Sequence, residues 1–268
     1  MEALAALPSK RRIAARFGRA ADTYESDAGV QMEILLRVAG LVRGAAGGGE
    51  LWCDVGSGSG ALMERLRLLS CGARFVCFDL AFAPLRRALA LRRAAFAVNG
   101  DIDFPPVRAG AFHGAVAASV LQWSASPEGA LAGIARMLGP GGALCFSAFV
   151  AGSFEELVET RARAGLPAVV WLPTVSELLM ALDRAGFEAR ADDIENFERV
   201  RRFPDALSAL GSLSGMGVTA TGGRLLNRAE LDNLCGAYTL AFRKDGAVPL
   251  TYRAAIGMAR KRAGRTDR

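Results

Sequence analysis

Three acids in this chain stand where an apolar run gives out: Asp54, Asp79 and Asp101. A carboxylate in such a place can accept hydroxyl or amino hydrogens from a bound molecule, or face a positive charge. Asp54 opens the run Asp54-Val55-Gly56-Ser57-Gly58-Ser59-Gly60, with three glycines at alternate positions, and Ala61-Leu62-Met63-Glu64-Arg65-Leu66 then takes up helical spacing. Strand, glycine turn and helix in that order bring bare backbone N–H groups and a helix N-terminus to one side of a ligand, which predicts a nucleotide-like cofactor. Glycines also make plain strand-to-helix corners, so the loop needs support from the rest of the chain.

Other chemistry-bearing types are scarce. His113 is the single histidine, so a histidine-based triad would depend on it alone, and it reads as structural. The five cysteines (Cys53, Cys71, Cys77, Cys145, Cys235) form no C-x-x-C pair and sit mostly in apolar runs. They read as small core residues of a reducing, cytoplasmic environment, and no metal site is expected. A hydrophobic share of 51% with 22% charged residues supports a sizeable core in 268 residues. No apolar run is long enough to span a bilayer, so no membrane association is expected. The Arg- and Ala-rich start, Met1 to Arg19, reads as a helix of the folded protein rather than a transit sequence. A net charge of +6 gathers at Arg86-Arg87, Arg92-Arg93, Arg199 to Arg202 and Arg260-Lys261-Arg262, which suits an acidic partner. Aromatic and basic residues are not interleaved as on a nucleic-acid platform, so no nucleic acid is expected.

The elements that must position the acids follow from periodicity. Leu51–Val55, Arg74–Asp79, Ala115–Val120, Ala143–Phe149, Glu195–Phe203 and Val248–Met258 read as strands, and Ala95–Val98 as a brief strand or a helix end. Between them lie helices at Ala61–Ser70, Pro84–Ala97, Pro127–Leu138 and Thr174–Gly186. The last has Thr174 as cap, Glu177 three residues on and Gly186 as stop. Two helical patterns fill residues 10–43, and Pro204–Leu213 and Asn227–Phe242 flank a loop at Gly215–Gly223. Alternating strands and helices give an α/β fold, a doubly wound, mostly parallel seven-stranded sheet that binds ligands at its carboxyl ends. All three acids fall at those ends. The chain reads as one domain over residues 1–268: an N-terminal helical arm (10–45), a Rossmann-like core (50–202 and 247–260) and a helical lid insertion (203–246).

Here the chain resembles the class I S-adenosylmethionine-dependent methyltransferases. The features are Asp54 to Gly60, Asp79 at the second strand end, Gly100-Asp101-Ile102 and Leu138-Gly139-Pro140-Gly141-Gly142. A dinucleotide oxidoreductase is the rival, because Gly56-x-Gly58-x-x-Ala61 fits the looser dinucleotide fingerprint; the Asp-Ile pair and the long arm favour the methyl donor. The resemblance narrows to the malonyl-acyl-carrier-protein O-methyltransferases of biotin synthesis. Phe17 to Ala28 with Gln31, Ser119-Val120-Leu121-Gln122-Trp123, Phe146 to Phe149, Phe154-Glu155-Glu156-Leu157, Phe203 with Leu207, Leu210 and Gly217, and Pro249-Leu250-Thr251-Tyr252 carry it. His113, Gly211 and Ser214 depart from the family pattern.

The resemblance implies S-adenosylmethionine as cofactor, held by Gln31, Asp54, Gly56, Ser57, Gly58, Gly60, Asp79, Leu80, Asp101, Ile102 and Ser119. Asp79 would accept the ribose hydroxyls, Asp101 would take the adenine amino group, and Ile102 would pack on the ring. It places Tyr24, Arg19, Gln122 and Trp123 at the reaction centre, with Tyr24 orienting the substrate carboxylate; Trp123 also reads as packing under the lid. An arginine should face the malonyl charge, and Arg19, Arg201 and Arg202 are the candidates. The implied reaction methylates the free carboxylate of a malonyl thioester on acyl carrier protein, or on coenzyme A, by a monomeric enzyme. That carboxyl ionises near pKa 4, so no general base is needed. The alternatives are a quinone or small-molecule methyltransferase, and a methyltransferase-fold factor that modifies a protein arginine or assists assembly.

Overall fold

A computed structural model of the protein describes residues 10, 11, 13–15, 29–124, 126–166, 172–213, 220, 221 and 224–263. Its elements run α1 (Gly29–Ala45), β1 (Leu51–Val55), α2 (Ala61–Leu68), β2 (Arg74–Asp79), α3 (Phe82–Ala90), β3 (Phe96–Asn99), β4 (Phe112–Ala118), α4 (Pro127–Met137) and β5 (Leu138–Phe149). There follow α5 (Glu155–Arg163), α6 (Val175–Arg184), β6 (Phe187–Glu188), β7 (Ile194–Phe203), α7 (Ala206–Ser212), β8 (Ala220–Thr221), β9 (Arg224–Leu225), α8 (Arg228–Phe242) and β10 (Val248–Lys261).

The main sheet has the order β3-β2-β1-β4-β5-β10-β6, with β7 also on β10. The pairs β3-β2, β2-β1, β1-β4 and β4-β5 are parallel, while β10 runs antiparallel to β5, β6 and β7. The order reverses between β1 and β4. Such a switch point is where open α/β sheets bind ligands, in the crevice outside the carboxyl ends of the strands.

Two cores hold the sheet. On one face Val30, Ile34 and Val38 of α1, Leu62 and Leu66 of α2 and Leu85 of α3 are buried in a single cluster. On the other, Leu131 and Ile134 of α4 join Leu178 and Leu182 of α6. Cys53, Cys77 and Cys145 are buried, as their apolar settings predicted, and burial pushes the Cys77 and Cys145 thiols up to about 12. They are therefore inert packing groups at neutral pH.

The structure departs from the sequence reading in its strand count. The sheet has eight strands, not seven, because β10 is 14 residues long and outruns any single neighbour. β7 covers Val248–Gly257, and the two-residue β6 pairs with Arg260 and Lys261. The helix expected over Pro84–Ala97 stops at Ala90, and Phe96–Asn99 is a strand. The loop expected at Gly215–Gly223 carries the start of a small hairpin, β8-β9. Helix α5 was not anticipated from periodicity. It explains why two distant family-like segments belong together: Glu156 is buried and accepts Thr251 N at 3.0 Å and Thr251 Oγ1 at 2.6 Å. The Thr174 cap forms as expected. Thr174 Oγ1 accepts Glu177 N at 3.2 Å, and Glu177 Oε2 accepts Thr174 N at 2.7 Å.

Candidate active site

β1 delivers Asp54 and the glycine loop to the crevice. The loop's amides are not bare. Gly56 N and Ser57 N donate to Phe78 O at 2.7 and 3.1 Å, Gly58 N donates to Asp79 Oδ2 at 2.8 Å, and Gly60 N donates to Ser57 O at 3.0 Å. The loop thus spends three of those amides tying β1 to β2 and the fourth on its own turn, and what it offers a ligand is space and carboxylate oxygen. Gly56 and Gly58 both hold positive φ, 73° and 54°. A Cβ on Gly56 would lie 2.4 Å from Val120 Cγ2, whereas a Cβ on Gly58 meets nothing within 4 Å. Only the second faces open room.

Asp54 is 3% exposed, and its Oδ2 is buried without a hydrogen-bond partner. Burial, then the nearby charge of Asp79, pushes its carboxyl up to about 7. A buried carboxylate with an unfilled oxygen is costly unless a cation or donor arrives. Asp79 is raised above its usual range by burial, against the backbone N–H donors that favour its charge. Its Oδ1 accepts Ala81 N at 2.7 Å and its Oδ2 accepts Gly58 N, which leaves lone pairs for ligand hydroxyls. Asn99 had no role in the sequence reading. Its Nδ2 donates to the carbonyls of Asp79 and Leu80 at 3.0 and 2.9 Å, clamping the ends of β2 and β3. An amide at a strand end beside Gly100 was the available signal.

Asp101 follows β3 and lies with Asp103 beside Lys10 of the N-terminal segment. Ile102 is buried in the core cluster that holds Phe78, Phe112 and Ile134. The turn after β4 starts at Ser119, whose φ of 51° is unusual for a residue with a side chain. Its amide donates to Ser147 O at 3.0 Å, and the two serine hydroxyls lie 3.2 Å apart, so buried Ser147 is a second residue that spacing did not single out. A serine inside the apolar run Leu144–Phe149, within the family-like segment Phe146 to Phe149, was its mark, but no role had been given to it. Leu121–Trp123 form one 3₁₀ turn, in which Gln122 is buried, donates to Ser119 O at 2.8 Å and leaves its Oε1 without a partner. Trp123 is also buried.

The structure brings Gly56, Ser57, Gly58, Gly60, Asp79 and Leu80 into one bonded unit, with Asp54 just before it at the end of β1. Asp101, Ile102, Ser119, Gln122 and Trp123 come from the neighbouring strand ends. Gln31 sits half-buried in the first turn of α1. Tyr24 and Arg19 lie outside the described residues. Among the arginine candidates, Arg202 is exposed and donates to Lys244 O at 3.3 Å; Arg199, a neighbour on β7 that was not a candidate, pairs with Glu33. Arg201 is half-buried, stacks over Phe203 at 5.0 Å and approaches Gly29 at the start of α1. His113 is the second residue of β4, at the opposite edge from the acids. Its Nδ1 accepts Leu51 N at 3.2 Å, a structural bond. Among the described residues no group of His, Cys, Asp and Glu could hold a metal, and no helix is long and apolar enough to cross a membrane.

Comparison with known proteins agrees with this geometry. Residues 53–146 match the family model described as a methyltransferase domain. The chain is 29% identical over 260 residues to the malonyl-[acyl-carrier protein] O-methyltransferase of Serratia marcescens, covering 93% of this chain and 95% of the relative. Its identity to the protein of the same name from Pseudescherichia vulneris is 31%, covering 92% and 95%. Among solved structures, a SAM-dependent methyltransferase of Thermotoga maritima superposes with a TM-score of 0.55 at 16% identity, covering 93% of this chain and 100% of that one, which shows the shared fold. An unpaired buried carboxylate at the end of β1, a glycine loop open at Gly58 and near-full-length similarity lead to one conclusion: the chain belongs to the malonyl-[acyl-carrier protein] O-methyltransferase family.

Proposed function

We propose that this protein methylates the free carboxylate of a malonyl thioester carried on acyl carrier protein, using S-adenosylmethionine, to give the methyl ester that opens biotin synthesis. The observation that carries the reading is Asp54 Oδ2, buried and unfilled beside the glycine loop, in a chain similar to a malonyl-[acyl-carrier protein] O-methyltransferase over nearly its whole length. The donor is cationic, and its methyl group is electrophilic because it sits on a sulfonium. The residues present fit it: Asp54 would face the cationic amino-acid end, Asp79 the ribose hydroxyls, and Asp101 the adenine amino group.

The chain's own work is to bind, orient and exclude water. The acceptor carboxylate is ionised at neutral pH, so one O–C bond forms, one S–C bond breaks and no proton moves. Alignment of the two reactants is the main source of rate, on the order of 7 kcal/mol or more in favourable cases. Tyr24 would orient the acceptor oxygen, while Gln122 Oε1, itself an acceptor, is left to take a hydrogen from a donor group of a ligand rather than to meet the carboxylate. With Arg199 and Arg202 already engaged, Arg201 and Arg19 are the arginines we assign to face the malonyl charge. We read residues 203–246, where α8 packs on α5 and α7, as the lid over that charge. The +6 net charge would steer an acidic carrier protein toward the enzyme.

The test is transfer of labelled methyl from S-adenosylmethionine to malonyl-carrier protein, run beside malonyl-CoA and a quinone acceptor. Label on the malonyl carboxylate supports the reading, and label only on another acceptor overturns it. Tyr24→Phe should lower kcat by about tenfold or more with little change in donor affinity, the pattern of a lost contact to the reacting group. The saturated rate should stay flat from pH 6 to 9, since no base titrates. Rescue of a biotin auxotroph lacking the methylating enzyme checks the same assignment in cells.

A further inference from the structure

Lys10 reaches across the fold to the strand ends. Its Nζ lies 2.7 Å from Asp101 Oδ1 and 2.8 Å from Asp103 Oδ2, and it donates to Trp123 O at 3.2 Å. An ammonium has three donors, and these three acceptors fill them. The contacts join the N-terminal segment to the loop after β3 and to the turn after β4. Three residues on, Ile13 is buried in the core with Val30 and Ile34, so this segment is seated against the domain at two points.

The Lys10 and Asp101 side chains keep 29% and 26% of their exposure, and a pair that open to water adds little to stability. Its effect is on orientation. Asp101 Oδ1 accepts both Lys10 Nζ and, at 3.0 Å, Asp103 N. With Oδ1 so occupied, Oδ2 is the oxygen left to accept a hydrogen from a ligand. Without Lys10, two neighbouring carboxylates of like charge would repel, and Asp101 would be free to turn to solvent.

We propose that Lys10 is a positioning residue for base recognition: by occupying one oxygen of Asp101 it presents the other to the 6-amino group of adenine, and so sets the preference for an adenosyl over an inosyl (6-oxo) ligand. The inference rests on the reading of this site as one for S-adenosylmethionine.

The experiment is calorimetric titration of the full chain with S-adenosylhomocysteine and with S-inosylhomocysteine, before and after Lys10→Met. The unaltered protein should favour the adenosyl ligand. Lys10→Met should weaken that ligand about tenfold, as expected for one charge-assisted contact losing its geometry, and leave the inosyl ligand within about twofold. Lys10→Arg should recover part of the discrimination, and in an Asp101→Asn background Lys10→Met should change nothing further. Equal losses for both ligands would mean that Lys10 only anchors the segment, and unchanged adenosyl binding would mean that it does not act on Asp101; either overturns the proposal. If Lys10→Met melts early, Lys10→Gln carries the same comparison. Should the unaltered protein bind neither ligand, the reading of the site fails instead.

Discussion

Asp54→Asn is expected to weaken S-adenosylmethionine binding by about 100-fold or more while making the ligand-free fold harder to unfold above pH 7. Both effects come from one buried carboxyl. In the unfolded chain it ionises near 3.8, and burial beside Asp79 moves this to about 7 in the folded protein. Folding therefore favours the protonated form. That contribution is complete below the unfolded value and is lost as pH rises through 7, beyond which the fold bears a buried, unpaired anion. Asparagine carries no charge, so its advantage over aspartate should grow from pH 4 to about 7 and then level off, at a few kcal/mol. Urea unfolding of both proteins at pH 5 and pH 8 measures this directly.

The same carboxyl makes donor binding pH-dependent with the opposite benefit. A cationic ligand needs the ionised form, so binding below pH 7 must displace a proton. Affinity should fall about tenfold for each pH unit below 7, and titrations in buffers of different ionisation enthalpy should show nearly one proton released at pH 6 and almost none at pH 8.5. Asp54→Asn should lose both the affinity and its pH dependence. A variant that binds as tightly as the unaltered chain would remove Asp54 from the site.

What the sequence disclosed and what it withheld divide along physical lines. β1 and β2 were legible to the residue, because each is a short apolar run ended by an acid and bounded by turn residues. The capped helix α6 was legible for a local reason as well, its Thr174–Glu177 box. β6 was not, since two residues have no period. Helix α5 escaped because its buried face includes Glu156, Thr160 and Arg161, so polarity concealed the core side. In the site, the acids and glycines declared themselves by type and place. Lys10, Asn99 and Ser147 did not, because their meaning lies in partners that only folding brings near: Asp101, the carbonyls of Asp79 and Leu80, and Ser119. The glycine loop is an intermediate case. Its position was readable, but the use of its amides within the protein was not, since that depends on how closely β2 lies beside β1.

That closeness gives the three-glycine run unequal members, and two substitutions should separate them. Gly56→Ala adds a Cβ at 2.4 Å from Val120 Cγ2, at a backbone φ of 73°. The left-handed conformation costs about 1 kcal/mol and the overpacking about 1 to 3 kcal/mol more, so a loss of several kcal/mol is expected. The damage should travel, because Val120 follows Ser119, already held at positive φ, and precedes the turn that seats Gln122. Gly58→Ala meets no neighbour and should cost only about 1 kcal/mol of stability. Its new methyl group would instead stand in the open room beside Asp79, where the donor is proposed to bind, raising the KM for S-adenosylmethionine about tenfold in a folded enzyme. Thermal melts paired with donor titrations distinguish the two. Adding Val120→Ala should restore part of the stability of Gly56→Ala by removing the methyl group it strikes, and should do nothing for Gly58→Ala. If Gly58→Ala proves the less stable variant, the assignment of packing to one glycine and ligand space to the other is wrong.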